Sequence, residues 1–164
     1  MKNEQISQII SDVKHARSLS DYEAVDVLWV ALIKAANLME GENEHKRMLK
    51  LVEKFPNEEI ENILDSKSVN DLIFMEPPLE TVLSSPYEKL ENEKTKKAIG
   101  KIRSNRKSDP CSTLINLGKI LKIIRNKREH SFKSRYSQKD KEILSSARSI
   151  LDRLCNLAIM VIGK

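Results

Sequence analysis

Apolar side chains return at three- and four-residue spacing along most of this chain, a period that belongs to helices and not to strands. Ile6, Ile9, Ile10, Val13 and Ala16 place one helix over residues 3–19. Val25, Leu28, Trp29, Leu32, Ala36 and Met39 place a second over 21–40, with Ser20-Asp21 as its cap and Gly41 as its stop. Val27, Val30, Ala31, Ile33 and Ala35 widen this second stripe beyond one face. Such a helix is central to a core or lies at an interface. Met48, Leu51, Val52 and Phe55 give a third helix over 43–55, ended by Pro56.

Four of the five prolines fall between 56 and 86. The period is broken there, and short helical pieces fit at 57–65 and 69–75 with irregular chain over 76–86. A helix resumes at Tyr87 and runs to about Ile102. Asp109-Pro110 is a capping acid followed by proline at the first helical position. Leu114, Leu117, Leu121 and Ile124 then stripe a helix that continues to about Glu129. Ser137-Gln138-Lys139-Asp140 is a capping box for a last helix over 138–162, striped by Ile143, Ala147, Ile150, Leu151, Leu154, Ala158 and Val161. The short 131–136 connection makes helices 110–129 and 138–162 antiparallel neighbours. The fold class is all-α: one domain of 164 residues, a helical bundle with an antiparallel C-terminal helix pair.

The longest apolar-rich run, Ala24 to Ala36, is interrupted by Asp26 and Lys34, so no membrane span is expected. The first ten residues lack the charged-then-apolar order of a signal peptide. Two cysteines, Cys111 and Cys155, are too few for a disulfide framework, and the expected location is cytoplasmic.

Charge is divided unevenly. Residues 1–93 hold 10 Lys/Arg and 19 Asp/Glu, a net of −9; residues 94–164 hold 19 and 5, a net of +14. The second half therefore suits a polyanion, with RNA as the expected partner, although mutual attraction of the halves, or of the acidic and basic faces of a dimer, accounts for the same numbers. Lys94, Lys96, Lys97, Lys101, Arg103, Arg106 and Lys107 form a basic run without an acid, either a phosphate guide or a solvated face. Seven aromatic residues leave little for base stacking.

The stretch with the most chemistry is Arg125-Asn126-Lys127-Arg128-Glu129-His130, at the end of an apolar helix and before a long apolar-striped one. This arrangement resembles the HEPN superfamily, whose signature is Arg, four to six residues, then His, often with Asn after the Arg as Asn126 is here. The resemblance covers about residues 114–160. Ser131 stands where many members have Gly. The resemblance implies a metal-independent endoribonuclease that leaves a cyclic phosphate and a free 5′-hydroxyl. It also implies a homodimer whose motif helices share one cleft at a two-fold axis. Toxin, antiviral defence and RNA processing are the roles it suggests, with an antitoxin or neighbouring-gene product as a further partner. Arg125, His130 and Asn126 are then the catalytic set.

The residue types suit the chemistry independently of any resemblance. Histidine titrates nearest neutrality and serves as acid or base. Arginine is always charged and grips phosphate oxygens through two N–H groups. Lys122, Lys127, Arg128, Lys133 and Arg135 surround the motif and are candidates for holding the RNA backbone. No cofactor is expected. No metal site is expected either, since His15, His45 and His130 are scattered and no Cys/His cluster exists. Cys111 opens its helix, where the dipole favours a thiolate, but lies about 28 Å along that helix from His130, too far for a nucleophile pair.

Asn126 and His130 share a helix face, so Asn126 can orient the imidazole. Arg125 and His130 are roughly 140° apart around an ideal helix. They converge if the helix frays, if Arg125 reaches around, or if the site assembles across a dimer. Each residue also has a plain structural use: Arg125 in an ion pair with Glu129, His130 as a cap at a helix C-terminus. A helical binding or scaffold module of the same shape without catalysis, and a helical adaptor unrelated to RNA, are the alternatives to the enzyme.

Overall fold

A computed structural model describes residues 2–76, 78–82, 89–105, 108–127 and 138–163. The described residues form nine helices and no strand: α1 (Lys2–Ala16), α2 (Asp21–Ala36), α3 (Glu44–Glu53), α4 (Asn57–Leu64), α5 (Lys67–Ile73), α6 (Leu79–Val82), α7 (Lys89–Asn105), α8 (Pro110–Lys127) and α9 (Gln138–Ile162). The all-α class expected from the apolar period is what the chain adopts. All nine helices contribute to one cluster of buried apolar side chains.

The position of α2 is explained by its composition. Ala24, Val25, Leu28, Trp29, Ala31, Leu32, Ala35 and Ala36 are buried, and Val27 and Ile33 pack half-buried against the core. It touches α1, α3, α8 and α9, so the width of its apolar surface is used within the chain. That packing accounts for the feature that suggested an interface between molecules.

The partner of α2 with the most extensive contact is α9. Both helices bury small residues, Ala31 and Ala35 on one and Ser146, Ala147 and Ala158 on the other, and small residues let helix axes approach closely. The approach is close enough for the Cys155 thiol to donate to the Leu28 carbonyl at 3.2 Å. The principal partner of α8 is α7, which buries Ala98, Ile99 and Ile102 in the core. Helices α8 and α9 do touch, but neither is the other's main neighbour. The C-terminal helices were expected to be neighbours and they are; matching area and fit give each of them a further, more extensive partner.

Several ends also differ from the periodic pattern. Helix α2 stops at Ala36, before Gly41. The segment that follows is held by Arg47, which donates to the Asn37 Oδ1 at 3.0 Å and the Gly41 carbonyl at 3.1 Å. A Cβ on Gly41 would meet the Arg47 backbone nitrogen at 3.0 Å, so glycine serves close approach here and not helix termination. Asn43 and Ser66 cap α3 and α5 with their side chains. The proline-rich stretch contains the short α6, where irregular chain was expected.

Arg148, on α9, joins three elements. Its guanidinium donates to the carbonyls of Ala16 at 3.0 Å and Leu19 at 2.9 Å, and to the Asp21 carboxylate at 2.8 Å. The end of α1 thereby gains partners for carbonyls that its own helix cannot satisfy, and the α1–α2 turn is fixed to α9. Arg103 does the same for α5, with two N–H groups on the Ile73 carbonyl and its plane over the Phe74 ring at 5.8 Å.

Replacing Arg148 by Ala should therefore lower folding stability by roughly 1–3 kcal/mol, the range for losing hydrogen bonds to a charged group. Arg148→Lys should recover little, because one ammonium cannot span these acceptors. Urea unfolding followed by circular dichroism measures both; a midpoint unchanged in Arg148→Ala contradicts the role.

Candidate functional site

Helix α8 carries the described part of the motif. The Asp109 carboxylate accepts from the Ser112 N–H at 3.2 Å, and Pro110 is the first helical residue, so the start is the one the sequence indicates. Leu114, Leu117, Ile120, Leu121 and Ile124 are all nearly or fully buried. Burying that face turns Lys119, Lys122 and Asn126 outward, and leaves Arg125 half-buried at the edge of the core.

Arg125 does not extend freely into solvent. Its Nε donates to the Asp26 carboxylate of α2 at 2.7 Å, and its Nη1 donates to the Asn126 Oδ1 at 3.1 Å. About a third of each charged side chain stays exposed, 36% for Arg125 and 32% for Asp26. One edge of the guanidinium is thus anchored, while Nη2 makes no hydrogen bond among the described residues. Anchoring through Nε and Nη1 leaves the Nη2 N–H groups as the ones that can meet a phosphate oxygen. The structure brings Arg125, Asn126 and Asp26 together. Within that group Asn126 accepts from Arg125, where sequence reasoning gave it the task of orienting His130.

His130, Arg128, Lys133 and Arg135 lie outside the described residues, as does the 131–136 connection, and so does Glu129, the acid expected to pair with Arg125. Lys127 is the last residue of α8. Lys122 faces Glu44 of α3 at 3.6 Å, with both side chains about half exposed. In the basic run, Lys94, Lys96, Lys97 and Lys101 are exposed on α7, whereas Arg103 is engaged at the end of α5.

Among the described residues, three ion pairs cross from the acidic half to the basic half: Asp21–Arg148, Asp26–Arg125 and Glu44–Lys122. Part of the charge asymmetry is therefore consumed inside the molecule. Asp26 is the site residue that sequence reasoning missed. Arg125 lies 99 residues away, and the sole signal was a single acid inside the apolar run from Ala24 to Ala36, a group that must find a partner or water.

A cleft of about 1050 Å³ lies where the N-terminal ends of α2 and α9 meet α5, and none of the described motif residues line it. Its acids, Asp21, Glu23, Asp71, Glu76 and Glu142, outnumber Lys67, Lys139 and Lys141, which is the wrong balance for a polyanion. Among the described residues no group of three or more His, Cys, Asp or Glu is arranged to hold a metal ion. No described helix is long and apolar enough to cross a membrane.

The position of Cys111 in the first turn of α8 would favour a thiolate, but its surroundings outweigh the dipole. Burial pushes the Cys111 thiol up, and the nearby charges of Glu53 and Asp109 push it further. Burial raises the Cys155 thiol as well, with Asp152 adding to it. A raised pKa means less thiolate at any pH below it. Iodoacetamide at neutral pH should alkylate Cys111 more slowly than a free cysteine, and Cys155 only in denaturant; mass spectrometry showing Cys111 reacting faster than free cysteine contradicts this. Comparison of the chain with protein-family models, with curated proteins and with solved structures gives no match, so the case for a function rests on these residues.

Proposed function

We propose that this protein is a metal-independent endoribonuclease of the HEPN type, acting as a homodimer, with a toxin or antiviral defence role. The observation that carries the reading is Arg125, at the head of the Arg125-Asn126-x-x-x-His130 motif, held through Nε by Asp26 at 2.7 Å with about a third of its side chain exposed. In this reading His130 takes the proton of a ribose 2′-hydroxyl. The 2′-oxygen bonds to phosphorus, the bond from phosphorus to the 5′-oxygen breaks, and that oxygen receives a proton from the imidazolium. Arg125 binds the non-bridging oxygens as their charge grows. Lys122, Lys127, Arg128, Lys133 and Arg135 hold the backbone on either side, which makes binding strongly salt-dependent.

A second reading is favoured by a specific observation. Arg125 and Lys122 already face the carboxylates Asp26 and Glu44, as they would in a helical scaffold of HEPN shape that binds a protein partner and cleaves nothing.

The experiment is incubation of the purified protein with RNA in EDTA. Cleavage is expected, and His130→Ala should lower it at least ~10²-fold, the low end for loss of a positioned acid or base. Arg125→Ala should lower the rate far more than the RNA affinity, the mark of a group that acts on the transition state. Equal RNA degradation by wild type and variants, or none by either, sinks the enzyme and leaves the scaffold. Light scattering should show a dimer at micromolar concentration, and a monomer contradicts a site shared between two chains.

A further inference from the structure

A cavity of about 270 Å³ opens between α3 and α8 beside Trp29, and neither Arg125 nor Asn126 lines it. Its wall is apolar, with Trp29, Met48, Phe55, Leu114 and Ile115 among its residues. Gly118 of α8 also lines it, and a Cβ built there meets no heavy atom within 4 Å. Glycine inside a helix costs stability relative to alanine, and neither close packing nor backbone conformation requires it here. Its effect is to leave one wall of the cavity without a side chain. Residues 115, 118, 119 and 122 sit on one face of α8, so a side chain at 118 would enter the same space.

The rim is charged. Lys119 and Lys122 stand three residues apart on α8, and His45 and Glu44 face them from α3. The one carboxylate lies 3.6 Å from Lys122, with side chains 51% and 45% exposed. That is longer than the roughly 2.8 Å of a charge-assisted hydrogen bond, so another anion can readily replace Glu44 at Lys122. The wall adds an unpaired donor. Trp29 is 6% exposed and its indole N–H makes no hydrogen bond among the described residues, where a buried indole normally finds an acceptor.

We infer that this cavity binds an amphipathic anion: an apolar body packed against Trp29 and Phe55, and a carboxylate taken by Lys119 and Lys122. A cavity of about 150 Å³ holds a benzene ring, so this one suits a body of roughly ten carbons. The inference shares Lys122 with the nuclease reading but does not rest on it, and its test reads ligand binding alone.

Trp29 is the single tryptophan of the chain, so intrinsic fluorescence reports on the cavity wall directly. Titration with decanoate should give a saturable change in emission at sub-millimolar concentration. 1-Decanol, which has the chain without the charge, should bind roughly tenfold more weakly, the effect of losing one charged contact. Gly118→Leu fills the cavity and replaces a poor helix former with a good one; it should keep or raise the melting temperature and abolish the decanoate response. Lys119→Gln with Lys122→Gln should bring decanoate to the level of decanol and leave decanol unchanged. The inference is overturned if decanoate gives no saturable change, if decanol binds as tightly as decanoate, or if Gly118→Leu binds decanoate like the wild type. It is equally overturned if Gly118→Leu alters only the oligomeric state, since the cavity would then receive a second copy of the chain.

Discussion

The burial of α2 is the constraint on which the rest of the structure depends. A helix with apolar residues around most of its circumference must be covered on several sides, and α1, α3, α8 and α9 supply the cover. Apolar contact alone leaves the rotation of such a helix poorly determined, because many rotations bury similar area. Its few charged groups restrict the choice. Asp21 meets Arg148 of α9, Asp26 meets Arg125 of α8, and Lys34 meets Asp12 of α1. Half-exposed pairs of this kind contribute at most about 1 kcal/mol each. Their value lies in direction: three neighbours are each aligned with one polar position on α2.

The candidate site is a product of that alignment. Arg125 lies at the border between the buried stripe of α8 and its exposed face, one residue after the fully buried Ile124. The carboxylate that anchors it comes from the helix the core is built around, so the guanidinium is held by the least mobile kind of support a fold offers. A phosphate-binding arginine gains from such support, since less side-chain freedom remains to be lost when the ligand arrives. The same contact offsets its charge, which is why the arrangement serves a scaffold as well as an enzyme.

How much of this was legible in the sequence follows from where the determining signals lie. The helical period is local, so the all-α class and the position of most helices were readable, as was the start of α8 from Asp109-Pro110. The stop of α2 was not, because the Gly41 that suggests a cap is there to admit Arg47. The preference of α9 for α2 over α8 depends on matching small residues across the fold, which no local pattern reveals. Arg148 is unmarked in the sequence, since the carbonyls it satisfies have no signature there. Arg125 was marked by its motif, but Asp26, which fixes it, appeared only as an interruption in an apolar run.

The central claim is that the Arg125–Asp26 pair orients a catalytic guanidinium in addition to aligning two helices. Exchanging the two residues, with Asp26→Arg and Arg125→Asp together, separates these roles. The swapped protein keeps an ion pair between α2 and α8 but moves the cation to the other helix. The account predicts that wild type cleaves RNA in EDTA, that each single charge reversal lowers the melting temperature, and that the double exchange restores the melting temperature without restoring cleavage. Cleavage by the exchanged protein at the wild-type rate would contradict it, because the position of the guanidinium would then be irrelevant to the chemistry.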